Sequence, residues 1–251
     1  MRRLQFRRRV PGRSALAILW WDFCETLVRI YLKIAHRAWF DGIERVPREG
    51  PCLFVSNHLS FLDPMLNGSA VRDRQISPIA RESLFKFKPF GWVLRSVGVI
   101  PVKDQGGDAA SMRAALAELA AGRCVLIYPE GSRSDDGASA PFKRGVAVLL
   151  KRSSVPVLPM AVDGTFDAWP RSRHFPAFGV PIVVRIGSPI SHEELLRDGP
   201  DAALERLRRE IEKLRLEARA RLRQRTKGRW PRPGVADRAY WETEHGAAAA
   251  S

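Results

Sequence analysis

The stretch FVSNHLSFLDP, residues 54–64, places an imidazole and a carboxylate five residues apart, directly after a short apolar run. His58 has an unperturbed pKa of about 6.5, so it can accept a proton at neutral pH. Asp63 could bind the second ring nitrogen, fix the tautomer and stabilise the imidazolium as it forms. The spacing also fits a structural role, in which Asp63 caps a helix and His58 is a partly buried turn residue.

A second polar loop, YPEGSRS, has the composition of an anion-binding site. Gly131 lets the backbone approach a ligand, Ser132 offers a hydroxyl, and Arg133 carries a planar guanidinium that matches phosphate. Glu130 could orient this arginine or accept a hydrogen bond from a substrate hydroxyl, and Lys143 adds positive charge nearby. The alternative is a solvated turn in which Glu130 and Arg133 form a surface ion pair.

Two other kinds of site have little support in the sequence. A serine nucleophile would be expected in a G-x-S-x-G turn, which is absent, and neither Ser56 nor Ser60 stands in a context that would activate it. No recognisable set of metal ligands is present, since His58 is the one histidine of the two polar loops, and one histidine with scattered carboxylates does not form such a set. A base at one loop and a phosphate cradle at another therefore favour transfer of a group to the hydroxyl of a phosphorylated substrate.

The elements that must position these loops alternate between apolar runs and amphipathic segments. This alternation predicts an α/β fold with a mostly parallel central sheet flanked by helices. Ligands of such sheets gather beyond the carboxyl ends of strands, and both polar loops begin at predicted strand ends. Strands are predicted at 51–57, 76–82, 99–102, 124–130, 155–162 and 180–187, and helices at 63–71, 84–98, 108–122, 142–153 and from 191 onward.

The chain divides into three predicted parts: residues 1–40, a catalytic domain over 41–226, and a loosely ordered tail over 227–251. The first part opens with MRRLQFRRRVPGR, which has six arginines and no acid. Apolar residues at helical spacing then predict an amphipathic membrane-docking helix, although packing on the protein's own core is the alternative. The apolar set is Leu16, Trp20, Phe23, Leu27, Ile30, Tyr31 and Ile34.

Overall charge narrows the class of partner. The chain has 42 Lys and Arg against 27 Asp and Glu, a formal charge of +15, which favours nucleic acid or an anionic membrane. No helix-turn-helix, RRM-like or zinc-finger pattern is present, so no nucleic-acid partner is expected. The three cysteines stand far apart in apolar surroundings, as is typical of reduced core residues in a cytosolic compartment.

The polar loops resemble those of a known family. NHLSFLDP is similar to the N-H-x4-D block, and YPEGSRS to the F-P-E-G-T-R-S block, of the glycerolipid acyltransferases of the 1-acylglycerol-3-phosphate or lysophospholipid acyltransferase type. GVIPV and VLPMAV stand where the family has its second and fourth blocks. The order and spacing of all four blocks are similar, over residues 40–188.

This resemblance implies an O-acyltransferase in which His58 is the general base on the acceptor hydroxyl and Asp63 supports it. The acyl group would come from acyl-CoA or acyl-carrier protein as co-substrate, with no cofactor, no metal and no acyl-enzyme. The acceptor would be a lysophospholipid, with 1-acylglycerol-3-phosphate giving phosphatidic acid. Membrane lipids are then partners, and a peripheral or monotopic position on the cytoplasmic face of a membrane is expected. The residues expected to bind the acceptor are Glu130, Gly131, Ser132, Arg133, Lys103 and Lys143.

Three departures from the family pattern bear on the acceptor. Tyr128 and Ser132 replace the usual Phe and Thr. The second block usually ends in an arginine that helps to hold phosphate, and here Asp104 stands at about that position. Lys103 lies one residue earlier and would point to the opposite face of a continuing strand. Another lysolipid acceptor, such as a lyso-amino-acid lipid, and a lipid-binding protein without catalysis therefore stay open as alternatives.

Overall fold

A seven-stranded sheet forms the centre of the protein in a computed structural model that describes residues 12–71, 74–103 and 107–242. Its strands are β1 Trp39–Asp41, β2 Leu53–Ser56, β3 Ile76–Arg81, β4 Ile100–Val102, β5 Cys124–Ile127, β6 Val157–Asp163 and β7 Val183–Ile186. The spatial order is β1-β7-β6-β2-β5-β3-β4. All neighbours are parallel except β6 and β7. The predicted α/β fold with a mostly parallel sheet is confirmed.

Helices cover both faces of this sheet, so its central strands are buried throughout. Every residue of β2, β5 and β6 is buried, which explains why these strands are continuous apolar runs in the sequence. The helices are α1 Ala15–His36, α2 Asp63–Ala70, α3 Lys88–Ser96, α4 Gly107–Ala120, α5 Gly145–Ser153, α6 Thr165–Ala168, α7 His192–Leu195 and α8 Pro200–Arg225. Short 3-10 turns occupy Ile43–Arg45, Glu82–Phe85 and Val235–Asp237.

The last predicted helix is two helices. Ser191 caps α7 as expected, because its hydroxyl accepts a hydrogen bond from the backbone N–H of Glu194 over 3.1 Å. The chain then breaks at Gly199, whose φ of 92° lies in the left-handed region, and Pro200 starts α8. Strand β1 was not predicted, since its three residues are too short to show a pattern.

Helix α1 packs on the domain through one side and exposes apolar residues on another. Ile18, Trp21 and Leu32 are buried against the domain. The predicted apolar face is largely open: six of α1's large apolar side chains are 49–79% exposed, namely Leu16, Leu19, Phe23, Leu27, Ile30 and Ile34. Packing on the core therefore does not account for this face. None of the helices in the described parts of the chain is long and apolar enough to cross a membrane. Residues 1–11 of the predicted leader lie outside the described residues.

Residues 227–242, predicted as part of a loosely ordered tail, fold back on α8. Arg215 donates to the carbonyl oxygen of Ala236 over 2.8 Å, and Arg219 to that of Arg232 over 2.7 Å. Tyr240 is buried, and its hydroxyl donates to Glu205 over 2.6 Å. The segment is held because arginines buried on α8 need acceptors, and its carbonyl groups provide them. Residues 243–251 lie outside the described residues.

Candidate active site

His58 and Asp63 form a direct hydrogen bond at the carboxyl end of β2. Nδ1 of His58 lies 2.8 Å from Oδ2 of Asp63, which is fully buried, while 18% of the histidine side chain is exposed. A carboxylate can only accept, so Nδ1 carries the proton and Nε2 keeps its lone pair. The pair therefore has the tautomer and the partial accessibility that a general base needs.

Asp63 holds the turn that carries His58 and does not cap the following helix. Its Oδ2 also accepts from the backbone N–H groups of Leu59, over 2.6 Å, and Ser60, over 2.7 Å. The residue at the cap position of α2 is Leu62, which has no side-chain cap bond. One carboxylate oxygen thus fixes both the histidine ring and the backbone just after it. The capping alternative raised by the sequence is not the role seen here.

Tyr128 supports the opposite side of the histidine. The two rings are stacked, with centroids 4.0 Å apart and planes inclined by 18°. The phenol oxygen accepts from Nδ2 of Asn67 over 3.3 Å, so the hydroxyl that distinguishes Tyr128 from the family's Phe has a partner. Burial raises the pKa of the Tyr128 phenol well above its ordinary value, which keeps it neutral. The neutral Tyr128 ring therefore limits the movement of the His58 ring on that side.

The second loop is joined to the first through backbone groups. The N–H of Ser134 donates to the carbonyl oxygen of His58 over 2.8 Å. The N–H of His58 in turn donates to Oε1 of Glu130 over 3.4 Å. Glu130 is buried, and burial raises the pKa of its carboxyl well above the ordinary value. Glu130 therefore lies against the turn that carries His58, and neither of its predicted pairings with Arg133 describes its position.

Gly131 and Lys143 are adjacent in the same loop. Gly131 has a φ of 74°, which disfavours any side chain, and a Cβ there would collide with the Cε of Lys143. The backbone N–H of Lys143 also donates to the carbonyl oxygen of Pro129 over 2.8 Å. The Lys143 side chain therefore passes directly over Gly131, and the two predicted binding residues are in contact. Ser132 is exposed in the same turn.

Arg133 lies against an aromatic side chain near the turn that carries His58. Its guanidinium carbon is 3.4 Å from the centroid of the Phe61 ring, and its buried Nη1 has no hydrogen-bond partner among the described residues. Burial lowers the pKa of Arg133, and the nearby charge of Arg171 lowers it further. The charges of Asp63 and Asp135 act on this pKa in the opposite direction, so the feature of Arg133 that would suit an anion is the unused donor at Nη1.

The segment that carries Arg171 is hydrogen-bonded to the turn that follows His58. The Ser60 hydroxyl donates to the carbonyl oxygen of Trp169 over 2.8 Å, and the Trp169 and Phe61 ring centroids are 5.1 Å apart. Arg171 also lies 3.6 Å from Asp135 in an exposed ion pair. Sequence reasoning missed Arg171 because it belongs to no motif. Its position follows from the contacts of Ser60 and Phe61, which are more than a hundred residues earlier.

Lys103 lies apart from the other predicted residues. It is exposed and follows β4, the edge strand, which is three strands away from β2. At the usual strand spacing of about 4.8 Å, this is about 14 Å from β2, which leads to His58, and about 10 Å from β5, which leads to Gly131 and Arg133. Asp104 lies outside the described residues. The structure thus gathers His58, Asp63, Glu130, Gly131, Arg133 and Lys143 at two neighbouring strand ends, whereas Lys103 follows the outermost strand.

Asn57 is the first residue of the matched N-H-x4-D block, and no role for it was predicted from the sequence. It is fully buried, and both atoms of its amide bond the backbone of Val162 in β6, over 3.0 and 2.8 Å. This replaces strand pairing just beyond β2 and lets the chain turn at His58.

Within residues 12–71, 74–103 and 107–242, no group of three or more His, Cys, Asp or Glu side chains is placed to hold a metal ion.

Comparison with known proteins finds relatives among acyltransferases and a shared fold. A chloroplastic 1-acyl-sn-glycerol-3-phosphate acyltransferase of Brassica napus is 33% identical over 132 residues, covering 51% of this chain and 38% of that protein. The human 1-acyl-sn-glycerol-3-phosphate acyltransferase alpha is 31% identical over 171 residues, covering 66% of this chain and 59% of that protein. The chain therefore spans well under two thirds of the length of these relatives.

A solved structure and a family model complete the comparison. The crystal structure of the 1-acyl-sn-glycerophosphate acyltransferase PlsC from Thermotoga maritima superposes with a TM-score of 0.62 at 24% identity, over 86% of this chain and 81% of that one. At this identity the superposition shows a shared fold. The model of the family described as Acyltransferase matches residues 37–163, which include β1 to β6 and both polar loops. On this match over half of its length, the chain belongs to the acyltransferase family.

Proposed function

We propose that this protein moves a fatty acyl group from a thioester to the free hydroxyl of a lysophospholipid, with 1-acylglycerol-3-phosphate as acceptor and phosphatidic acid as product. The observation that carries the proposal is the 2.8 Å contact between His58 and Asp63, beside a loop in which the buried Nη1 of Arg133 has no hydrogen-bond partner among the described residues. Relatives named 1-acyl-sn-glycerol-3-phosphate acyltransferases support this choice of acceptor.

In the proposed mechanism, Nε2 of His58 takes the proton of the acceptor hydroxyl as its oxygen attacks the thioester carbonyl carbon. The new C–O bond forms and the C–S bond breaks. The imidazolium then donates the proton to the leaving thiolate. The Asp63 carboxylate stabilises the imidazolium through Nδ1–H and prevents the ring from rotating. Base catalysis of this kind contributes about 10²–10⁴-fold, so alignment of the two bound substrates must supply much of the remaining acceleration.

Direct transfer without an acyl-enzyme fits the state of the nearby serines. Both Ser56 and Ser60 are fully buried. The Ser56 hydroxyl donates to the carbonyl oxygen of Asn57 over 3.2 Å, and that of Ser60 to Trp169 over 2.8 Å. Neither hydroxyl is directed to His58, so neither is prepared as a nucleophile.

The acceptor phosphate is proposed to bind at the second loop. Arg133 would provide the main contact, with the backbone at Gly131, the Ser132 hydroxyl and Lys143 around it. Arg171 is a further cation on the same side, through its proximity to Arg133. Glu130, buried behind the turn with a raised pKa, would hold the backbone of His58 in place rather than contact the phosphate.

The enzyme is proposed to work as a peripheral or monotopic protein on the cytoplasmic face of a membrane, where its lipid acceptor and product reside. The exposed apolar residues of α1 and the chain's charge of +15 support contact with an anionic leaflet. Acyl-CoA and acyl-carrier protein are both proposed donors, because the thioester is common to them.

A second acceptor class has one observation in its favour. Asp104 stands where the family usually has a phosphate-binding arginine, and a carboxylate there would disfavour a phosphate dianion. A lyso-amino-acid lipid, whose headgroup includes an ammonium, would suit such a residue. The catalytic pair would act on its hydroxyl in the same way.

A panel of acceptors tests these alternatives. Purified protein in phosphatidylcholine vesicles would receive acyl-CoA, or acyl-carrier protein charged with the same chain, and one lysolipid at a time: lysophosphatidic acid, lysophosphatidylcholine or a lyso-ornithine lipid. Thiol release and the mass of the product lipid would be measured. We expect phosphatidic acid to form about tenfold or more faster than the other products, since a charged hydrogen bond discriminates by about that factor. Faster acylation of another lysolipid would change the acceptor, and no thiol release with either donor would leave a lipid-binding protein.

A further inference from the structure

The segment around α3 exposes an unusual density of aromatic and aliphatic side chains. We call these five residues the α3 surface: Leu84, Phe87, Phe90, Trp92 and Val93, with 42%, 70%, 48%, 62% and 38% of their surface exposed. They lie within ten consecutive positions, whereas apolar residues on an ordinary soluble surface are scattered singly. A cluster of this kind indicates a docking surface.

The conformation of the segment directs these side chains outward. Gly91 is the buried residue of α3, and a Cβ at this position would collide with the backbone of Phe85. The glycine therefore lets α3 lie directly on the 3-10 turn Glu82–Phe85, with Phe85 buried beneath it. Because this contact occupies the inner side of the helix, Phe87, Phe90 and Trp92 remain on its outer side.

The surroundings of the α3 surface are strongly positive. Residues 81–103 contain five cations, Arg81, Lys86, Lys88, Arg95 and Lys103, against the single acid Glu82. All five cations are exposed. Aromatic side chains beside Lys and Arg are the composition of a protein surface that lies in the headgroup region of an anionic leaflet. A protein partner would need a matching acidic rim, whereas an anionic bilayer satisfies the charge everywhere along the patch.

The α3 surface is also continuous with the exposed face of α1. Trp20 of α1 lies between the two, with its ring centroid 5.8 Å from those of Trp92 and Phe23, and its indole N–H donates to the Ser96 hydroxyl over 2.9 Å. The two helices thus present one apolar surface. Because β3 ends at Arg81 and is parallel to β5 and β2, the segment starts at the same edge of the sheet as His58.

We propose that the α3 surface inserts into the headgroup region of an anionic lipid leaflet beside α1 and turns the catalytic edge of the sheet toward the bilayer. Its benefit to catalysis rests on the proposed function, since it would bring a membrane-borne acceptor to His58. The docking itself requires no turnover, so vesicle binding can fail while acyl transfer succeeds, or the reverse.

Sedimentation with vesicles of phosphatidylglycerol and phosphatidylcholine tests the docking. The Phe87→Ser/Phe90→Ser variant is expected to bind about tenfold or more weakly than the wild type, because two aromatic side chains no longer leave water. Val235→Ser, which removes a 55% exposed apolar residue from the C-terminal segment, should bind as the wild type does. Lys86→Glu/Lys88→Glu should lose about tenfold or more on phosphatidylglycerol vesicles and much less on neutral ones. Wild-type binding by the Phe variant, or an equal loss with Val235→Ser, would overturn the proposal.

A fluorescent label makes the result independent of the variant's affinity. Phe87→Cys, in a Cys24→Ser background, would carry an environment-sensitive dye such as acrylodan, and Val235→Cys would carry the same dye as control. Addition of phosphatidylglycerol vesicles should shift the emission of the first label to the blue and leave the second unchanged. A label at position 87 that stays in water while the protein sediments with vesicles would show that α3 does not touch the bilayer.

Discussion

The backbone N–H of Ser134 donates to the carbonyl oxygen of His58 over 2.8 Å, although 76 residues separate them. This bond, with that from the His58 N–H to Glu130, joins the loop after β2 to the loop after β5. The proposed base and the proposed phosphate site are therefore held by one hydrogen-bonded unit. A shift of either loop would move the other, so changes in the second loop should affect the catalytic rate as well as acceptor binding.

Asp63→Asn should lower the rate of acyl transfer about 10²–10⁴-fold while the fold is kept. The amide can still accept from the Leu59 and Ser60 N–H groups, but it carries no charge to stabilise the imidazolium. The rate of thiol release at saturating acceptor, with far-UV circular dichroism, measures both effects. Asp198→Asn, which alters an exposed carboxylate, is the matched control. A rate near that of the wild type would show that the 2.8 Å contact is only structural.

Tyr128→Phe should leave the rate within about twofold of the wild type, whereas Tyr128→Ala should reduce it by about tenfold or more. The ring that stacks on His58 remains in the first variant and is absent from the second. The phenol makes one 3.3 Å bond, to Asn67, so its loss should cost about 1 kcal/mol of stability. Steady-state kinetics and thermal melting separate the two effects, and equal rates for both variants would deny the ring a role in positioning.

The contact between His58 and Asp63 was predictable from the sequence because a spacing of five residues keeps both side chains within one turn, whatever the rest of the chain does. The alternation of apolar runs likewise predicted β2 to β7. Contacts between distant segments could not be predicted. His58 and Glu130 are 72 residues apart, and only the pairing of β2 with β5 brings them together. The same holds for Arg171, and the identity of α3 as an exposed surface depends on the tight contact of Gly91 with Phe85.

Glu130→Gln should change how stability depends on pH. In the wild type the folded carboxyl has a raised pKa, so between the unfolded value of about 4.3 and the folded value it is neutral when folded and ionised when unfolded. Rising pH therefore stabilises the unfolded state, by up to about 1.4 kcal/mol per pH unit. The glutamine variant does not lose stability in this way as pH rises, and its side-chain oxygen can still accept the hydrogen bond from the His58 N–H.

Melting temperatures of Glu130→Gln and the wild type should therefore diverge as pH rises from 4.5 to 8, with the variant becoming relatively more stable. The measurement is differential scanning fluorimetry across this range. Glu82→Gln, which alters an exposed carboxylate in the 3-10 turn before α3, should give parallel curves. A difference for Glu130→Gln that stays constant or narrows with pH would contradict a buried, protonated Glu130.

Arg171→Ala should raise the KM for lysophosphatidic acid about tenfold and change kcat little, because the proposed acceptor phosphate lies beside Arg133, away from the reacting atoms. Arg173→Ala removes an exposed arginine two residues later and should leave both constants unchanged. For an acceptor without a phosphate monoester, the KM should be the same in all three proteins. An unchanged KM for lysophosphatidic acid in Arg171→Ala would separate this arginine from the acceptor site.

Arg215→Met should destabilise the protein by about 3–5 kcal/mol, since it leaves the carboxylate of Glu212 buried and unpaired. Arg215 is fully buried, donates to Glu212 over 2.7 and 2.8 Å, and holds the C-terminal segment through Ala236. Arg209→Met breaks an exposed pair with Glu205 on the same helix and should cost no more than about 1 kcal/mol. Urea unfolding of both variants gives the comparison, and similar losses would mean that burial does not decide the strength of these pairs.

The central claim, that the Nε2 of His58 deprotonates the acceptor, is tested most directly by thiol release from acyl-CoA with lysophosphatidic acid in wild type and His58→Ala. His192→Ala is the control, because His192 lies near Val157, at the amino end of β6, whereas His58 follows the carboxyl end of β2. The mechanism predicts a loss of about 10²–10⁴-fold in His58→Ala alone, with the melting temperature nearly unchanged. A folded His58→Ala protein that released thiol at the wild-type rate would contradict the account.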